Sequence, residues 1–401
     1  MKVFIINSGS SSVKYQLLDP ENQFVLAKGT VSRIGMSGAL LDHQRHDGKK
    51  FEVSGEILDH TTAIEYVIDI LLHPEHGVIR DKNEIAAVGH RVVHGGEKFS
   101  GSVIITPEVI KMIQDCIKMA PLHNPHNLRG INACLRLLPG VPQIAVFDTA
   151  FHSKMEEHTY IYGIPYELYE RHGIRRYGFH GTSHYYVSRQ AYKHLGMKKE
   201  DCKVITCHLG NGCSMAAVDR GTSVDTTMGF TPLEGLLMGT RCGDIDPSIP
   251  MQLMSMENLG TQDVDSLLNK HSGLKGISGE FSDMRDIVNA MNNGNKRAKL
   301  AFEVFCYRIR KYIGAYTAVM GGVDAIIFTG GIGENARAVR AKVCENFEYL
   351  GLKFDPKKNE NAQSGVLEDI STDDSKVKIL VIPTNEELVI AIDTMKLVQV
   401  K

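Results

Sequence analysis

Tryptophan is missing from this 401-residue chain, and so are the signatures that most quickly place a protein in a class. Eight cysteines are present, but no two form a C-x-x-C pair. In a chain of this length that excludes a disulfide frame and a cysteine-rich zinc site, and it predicts reduced thiols in a cytoplasmic protein. The formal charge is only −2, so no basic excess points to nucleic acid, and any anion site has to come from local placement of charge. No apolar run approaches the roughly 20 residues of a membrane span. The N-terminus offers one lysine and the short apolar run Val3 to Ile6, too little for a secretion signal. The G-x-x-x-x-G-K-[ST] loop and the H-R-D loop are both absent, which excludes a P-loop fold and a protein kinase. The expectation is a cytoplasmic protein with no nucleic-acid partner and no membrane association.

What is present is ordinary in bulk. Hydrophobic residues make up 43% and charged residues 23%, as in a globular protein with a full core, and the length suggests two or three domains. The detail is less ordinary. Asn7-Ser8-Gly9-Ser10-Ser11-Ser12-Val13-Lys14 separates the apolar runs Val3–Ile6 and Tyr15–Leu18, a strand–turn–strand pattern. Gly9 is expected to supply a positive φ at the bend. Ser10 and Ser12 are expected to leave hydroxyls and backbone N–H groups facing an anion, with Lys14 as a fixed positive charge. A plain serine-rich surface hairpin fits the same stretch. Half a chain later Lys203–Asp219 repeats the pattern, with His208-Leu209-Gly210-Asn211-Gly212 at its turn; at an offset of 201, Lys2, Val3 and Gly9 meet Lys203, Val204 and Gly210. This predicts a duplicated domain whose two hairpin turns hold a polyphosphate in a shared cleft, with domain closure excluding water.

Other candidate groups stand at strand ends, where open α/β sheets gather ligands. The run Ile85–Gly96 places Arg91 as an anion clamp, and treats His90 and His94 as packing or hydrogen-bonding residues. Gln143–Phe147 reads as a buried strand ending in Asp148, a helix cap or a group for a divalent cation or a proton. His180 sits between Gly178 and Gly181 ahead of a helix. The glycine-dense stretch 226–244 reads as a cleft-lining loop with Arg241 turned inward. Ser282-Asp283-Met284-Arg285 opens a helix, and Asp324–Asn335 reads as strand, glycine loop and helix. Its Gly331-x-Gly333-x-x-Ala336 fits a dinucleotide fingerprint, but an adenosine packed on the glycine loop explains the same residues. Glu386 and Glu387 open a last helix, as dipole partners or as reach to a metal. Helices are predicted over 61–72, capped by Thr61 or Thr62, over 107–119 and 127–138, and near 296–319; Ala120–Asn127 reads as a loop set by two prolines.

The segments NSGSSSVKYQL, GHRVVHGGEKF, APLHNPHN, FDTAFH, YGFHGTSH, HLGNGCS, MGFTPLEGLLMGTRCGDIDP, GGIGEN and IPTNEE together give the chain a close resemblance, over essentially its whole length, to the acetate kinases. Cys213 is a small departure, standing where a serine is familiar. The resemblance implies an α/β fold of two duplicated actin-like (ribonuclease H-like) domains around a central ATP cleft, as in the acetate-and-sugar-kinase, heat-shock-70 and actin superfamily. The domains would be 1–150, joined by the C-terminal helix 386–401, and a nucleotide-binding domain 151–385.

The implied reaction is reversible transfer of the ATP γ-phosphoryl group to acetate, giving acetyl phosphate and ADP, with Mg²⁺ (or Mn²⁺ in its place), in a homodimer. Carried over by motif, Asp148, His180 and Arg241 are catalytic. Arg91, with the apolar Val93, Leu122, Phe179 and Pro232, binds the acid. Lys14, Ser10, Ser12, His208, Leu209, Gly210, Asn211 and Gly212 hold ATP phosphates. Asp283, Met284, Arg285, Gly331, Ile332, Gly333, Glu334 and Asn335 hold the nucleoside side, and Asn7 and Glu386 position the metal. The chemistry agrees: the attacking carboxylate is already ionised, so the difficulty is bringing an anion to a polyanion, which calls for positive charge and donors. The rival readings are a propionate kinase, a partner-coupled ATPase of the actin or heat-shock kind, and an NAD-dependent dehydrogenase built on GGIGEN.

Overall fold

The apolar run near the N-terminus becomes the centre of a sheet. Strand β1 (Val3–Ser8) is buried at nearly every position, as a strand covered on both faces must be. The computed structural model describes residues 1–399. It divides into one unit made of Met1–Ser153 with the segment from Asn385 onward, and a second unit, Lys154–Thr384.

In the first unit β1 pairs antiparallel with β2 (Ser12–Asp19) and parallel with β6 (Ala87–Val92), and β6 pairs in parallel with β8 (Gln143–Phe147). Strands β3 (Phe24–Ser32), β4 (Ala39–Arg45) and β5 (Lys50–Gly55) extend one side and β7 (Val103–Ile104) closes the other, in the order β5-β4-β3-β2-β1-β6-β8-β7. Helices α1 (His60–Leu72) and α3 (Asn124–Leu137) cover one face over Phe4, Ile6, Leu17 and Val88; the short α2 (Pro107–Asp115) lies beside α3. The C-terminal helix Glu386–Gln399 covers the other face. It comes so close to β6 that a Cβ on Gly89 would lie 2.6 Å from both Ile390 Cγ2 and Thr394 Oγ1. Only a glycine admits the helix there, and the approach sets where the helix's first residue, Glu386, stands.

The second unit repeats the ladder. β9 (Lys203–Leu209) pairs antiparallel with β10 (Cys213–Asp219) and parallel with β12 (Ala325–Thr329), which pairs in parallel with β14 (Lys378–Val381). β11 (Thr222–Thr226) and β13 (Glu368–Asp369) finish the order β11-β10-β9-β12-β14-β13. Helices α4 (Gly181–Leu195), α5 (Met284–Asn292), α6 (Lys296–Met320) and α7 (Gly330–Asn335) complete the parts that concern the site. Register sharpens the repeat. Val3 pairs with Ala87 and Val204 with Ala325, while Val88 pairs with Gln143 and Ile326 with Ile379. Matching the ladders rung by rung sets Arg91 against Thr329 and Asp148 against Thr384, so the two copies carry different chemistry at equivalent strand ends.

Several local expectations are corrected. Gly9 does not use the left-handed region; its N–H bonds to Ser12 O at 2.8 Å, closing the turn without it. Helix α1 is capped by Asp59, whose carboxylate accepts from Thr62 N–H, not by Thr61 or Thr62; the charged acceptor is the stronger cap at that position. The 120–127 stretch is only half a loop, because Asn124 and Pro125 already open α3, where proline's missing N–H is no loss. Gly330–Asn335 is itself helical directly after β12, with no glycine loop between. All eight cysteines are free, and among the described residues no helix is long and apolar enough to cross a membrane.

Candidate active site

In the first unit the carboxyl ends of β6 and β8 bring Arg91 and Asp148 together. The guanidinium donates twice to the carboxylate, Nε to Oδ1 at 2.9 Å and Nη2 to Oδ2 at 2.7 Å, a planar two-point match that only arginine makes. Asp148 is 2% exposed. Arg91 Nη1 lies 3.8 Å from Glu386 Oε2. Glu386 heads the C-terminal helix, which Asn385 Oδ1 caps by accepting from Leu388 N–H at 3.0 Å. Burial works against the Arg91 charge, but Asp148 and Glu386 outweigh it and hold the guanidinium firmly protonated. Glu386 is pushed above the ordinary glutamate range by burial and by Asp148, against the pull of Arg91 and Lys14. Glu387 shifts upward too, by burial and by Glu386.

Three carboxylates thus face two cations, and that excess suits a divalent cation. Among the described residues no group of three His, Cys, Asp or Glu could hold a metal alone. Mg²⁺ does not ask for one: it keeps waters and is held by one or two carboxylates together with substrate phosphates. Glu386 supplies such a carboxylate. Asn7, half-buried at the end of β1 and in register with Lys14, supplies an amide oxygen. The residues fit the ion the resemblance implies.

Because the fold favours protonated Glu386, its ionised form subtracts from stability once the pH exceeds its raised pKa, and the penalty fades as pH falls toward the ordinary glutamate value. Glu386→Gln is therefore expected to raise the melting temperature at pH 7, with the gain shrinking on acidification, while kcat drops by about 10²-fold. Thermal melts across pH beside kinetics check both; a Gln variant that melts lower than wild type at pH 7 sinks the account.

In the second unit the turn of the β9–β10 hairpin is overhung by a histidine and an arginine. A Cβ on Gly212 would lie 3.5 Å from Arg241 Nη1 and 3.7 Å from His180 Cε1. Arg241 Nη1 donates to Pro232 O at 3.1 Å. Among the described residues its half-buried guanidinium forms no carboxylate pair, and desolvation draws its pKa down. A partly desolvated cation without a counter-ion is costly unless an anion completes it. His180 has left-handed backbone, φ 56°, at the start of α4. Its Nδ1 is 2.8 Å from Ser214 Oγ, which is 2.8 Å from His184 Nε2; His184 Nδ1 is 2.7 Å from Thr206 Oγ1. Thr206 donates to Ala216 O at 3.4 Å. Tautomers assigned from this network run from His180 Nδ1–H to Ser214, from Ser214 to His184 Nε2, and from His184 Nδ1–H to Thr206. Nε2 of His180 then carries a proton only in the imidazolium form. His208 stacks on His180 at 4.2 Å between ring centroids, and its Nδ1 lies 2.8 Å from Ser183 Oγ.

Beside this turn lies a cavity of about 990 Å³ lined by Gly210, Asn211, Asp283, Met284, Arg285, Gly331, Ile332, Glu334 and Asn335, a volume suited to a nucleoside-sized ligand. Asp283 caps α5 by accepting from Arg285 N–H. Gly239 lacks the Cβ that would strike Asn211 Oδ1 at 2.0 Å. Glu334 Oε1 accepts from Gly330 N–H at 3.0 Å and Thr384 N–H at 3.3 Å, and burial raises its pKa.

The other expected residues are spread over both units. Ser10, Ser12 and Lys14 lie on the first hairpin, Ser10 and Lys14 exposed and Ser12 half-buried. His208 and Leu209 end β9, and Gly333 packs inside α7. Of the apolar set, Val93 and Phe179 are buried, Pro232 is half-buried and Leu122 is 46% exposed. Sequence reasoning passed over Ser214 and His184, which orient His180, and Arg176, which donates to the carbonyls of Thr226 and Thr227 and to Glu234 Oε1 and so shapes the loop carrying Pro232 and Arg241. The YGFHGTSH motif held the one signal for His184, as a second histidine one helical turn on.

Comparison with known proteins places this geometry. The model of the acetokinase family matches residues 2–392. The acetate kinase of Halothermothrix orenii is 56% identical over 399 residues, covering all of both chains. The crystal structure of Porphyromonas gingivalis acetate kinase superposes with a TM-score of 0.94 at 50% identity, and that of a propionate kinase from Francisella tularensis with 0.92 at 42%, each covering 99% of both chains. Matched over its whole length and in the fold of these enzymes, the chain belongs to the acetokinase family of phosphotransferases with a carboxyl group as acceptor.

Proposed function

We propose that this protein catalyses reversible transfer of the γ-phosphoryl group of ATP to acetate by direct in-line displacement, with Mg²⁺ bound alongside the nucleotide. The observation that carries the reading is Arg241, a half-buried guanidinium with no carboxylate partner among the described residues, beside His180 over the hairpin turn next to a nucleoside-sized cavity. The cavity in the second unit takes the nucleoside, with Gly331–Asn335 and Asp283–Arg285 along its walls. The backbone from His208 to Gly212 meets the phosphates. Arg241 and His180 donate to the oxygens of the transferring group, His180 through Nε2 as imidazolium, a form that anionic ligands favour. Lys14, Ser10 and Ser12 are further phosphate donors in this reading. Arg91 draws in the acid carboxylate and is itself held by Asp148, which orders the acid and the metal in place of moving a proton, since the attacking carboxylate has none to give. Glu386 and Asn7 would hold Mg²⁺, which would supply charge neutralisation at the phosphates.

The propionate kinase among the solved relatives favours a second acceptor. One methylene changes discrimination by only ~1–3 kcal/mol in an apolar pocket, so propionate is expected to turn over with a kcat/KM about 10- to 100-fold below that of acetate. ADP release with ATP and Mg²⁺ is measured with acetate, with propionate and with no acid. ATP hydrolysis indifferent to either acid points to a partner-coupled ATPase; a higher kcat/KM for propionate reverses the assignment of the acceptor.

A further inference from the structure

The motif Ala120–Asn127 has so far been given one role, through Leu122. Its two asparagines do something separate. β1 and β6 run as hydrogen-bonded parallel neighbours up to the rung Ile6–His90 and then part. Into the gap α3 inserts Asn127, 3% exposed. Its Nδ2 donates to Ser8 O at 2.9 Å and its Oδ1 accepts from Val93 N–H at 3.0 Å. One carboxamide therefore replaces the next rung of the ladder and holds the strand tips an amide's width apart. One helical turn earlier Asn124, fully buried, holds the chain just beyond β6 to the helix, accepting from His94 N–H at 3.2 Å and donating to His94 O at 3.0 Å and Ile113 O at 3.3 Å. The helix is seated closely on the tip of β1: a Cβ on Gly130 would lie 2.5 Å from Ser8 Oγ. The two residues just inside the splayed tips are Asn7 and Arg91.

We propose that Asn127, seconded by Asn124, is a positioning residue: a strut that fixes the separation of Asn7 from Arg91 by joining the carboxyl ends of β1 and β6. Asparagine suits the task because it offers a donor and an acceptor on one short planar group, and both neighbours present only backbone. A leucine of the same shape would leave Ser8 O and Val93 N–H buried without partners. An aspartate would keep the bond to Val93 and lose the one to Ser8. Displacing a clamp by a fraction of an ångström matters because positioning carries a large share of phosphoryl-transfer catalysis.

The kinetic part of the test rests on the acetate kinase reading; the exchange part does not. Asn127→Asp and Asn127→Leu are compared with wild type by hydrogen exchange over residues 3–9 and 88–95 and by steady-state kinetics. In the Leu variant the Val93 amide is expected to exchange about tenfold faster or more, and in the Asp variant to stay near wild type, since its acceptor remains. Both variants lose about tenfold in kcat and gain about tenfold in KM for acetate, while KM for ATP changes by no more than about threefold, because the residues lining the nucleoside cavity all belong to the second unit and only part of the phosphate and metal contacts is shifted. Wild-type acetate kinetics in either variant overturns the proposal. So does a parallel loss of both KM values with exchange protection falling along the whole chain, which marks a general packing role. If the Leu variant does not fold, the Asp variant decides by the split between the two KM values. If the wild type makes no acetate-dependent ADP, the acetate kinase reading fails by itself, and Val93 exchange in the two variants still supports or overturns the strut.

Discussion

Arg241→Ala lowers kcat for acetate-dependent ADP formation by about 10³-fold or more and leaves the thermal transition close to that of the wild type. The first half follows from the role proposed for the guanidinium, fixed positive charge beside the transferring group; the loss of even one neutral donor in such a site typically costs about 10²–10³ in kcat. The second half follows from its surroundings. Arg241 is half-buried, it has no carboxylate to strand among the described residues, and its hydrogen bonds are one to the Pro232 carbonyl and a long one to Met238 Sδ at 3.9 Å. Removing it deletes one hydrogen bond to oxygen, about 1 kcal/mol, and a weak one to sulfur, and relieves an uncompensated charge, so the effects largely cancel. Arg241→Lys recovers little activity, because a point charge does not reproduce the planar fork. Kinetics and melting curves on the same preparations check this. A variant that melts well below wild type moves Arg241 from chemistry to architecture.

Arg91→Ala shows the opposite pattern in stability. Turnover again falls by about 10³-fold, but the first unit also becomes less stable by about 3–5 kcal/mol, the penalty for leaving one member of a buried ion pair alone. Asp148, 2% exposed, loses both hydrogen bonds from the guanidinium, and Glu386 loses its nearest cation. A second substitution separates the two losses. Adding Asp148→Leu to Arg91→Met exchanges the pair for apolar groups of similar size, which restores much of the stability and none of the turnover. Chemical denaturation followed by a probe in the first unit reads stability apart from the second. Equal stability of Arg91→Ala and wild type would mean that the pair is solvated, and would remove the reason for treating Asp148 as the anchor of the arginine.

The repeated ladder explains why one unit is charged at these strand ends and the other is not. Matched by register, Arg91 and Asp148 correspond to Thr329 and Thr384. In the second unit the Thr384 hydroxyl donates to Ser183 Oγ at 2.8 Å, and its N–H donates to Glu334 of α7. That copy therefore uses Thr384 to tie the start of α4 to α7. The first copy carries the Arg91–Asp148 pair at the same places.

Much of this was legible in the order of residues. Continuous apolar runs marked β1, β9, β12 and β14, because a strand covered on both faces has no polar side to show. The offset of 201 announced the duplication, and whole-length motifs named the family with its arginines, histidines and carboxylates. These properties are local, or recur at fixed spacing, and a linear text carries them. Tertiary structure alone decided which of these residues meet. Arg91 and Asp148 are 57 residues apart in sequence and meet because β6 and β8 are parallel neighbours. Glu386 joins them because Gly89 lets the last helix lie against β6. Asn127 reads as one polar residue after a proline until the splayed tips of β1 and β6 appear on either side of its amide. Such pairings depend on which strands adjoin and how closely helices approach, and those distances arise only when the whole chain packs.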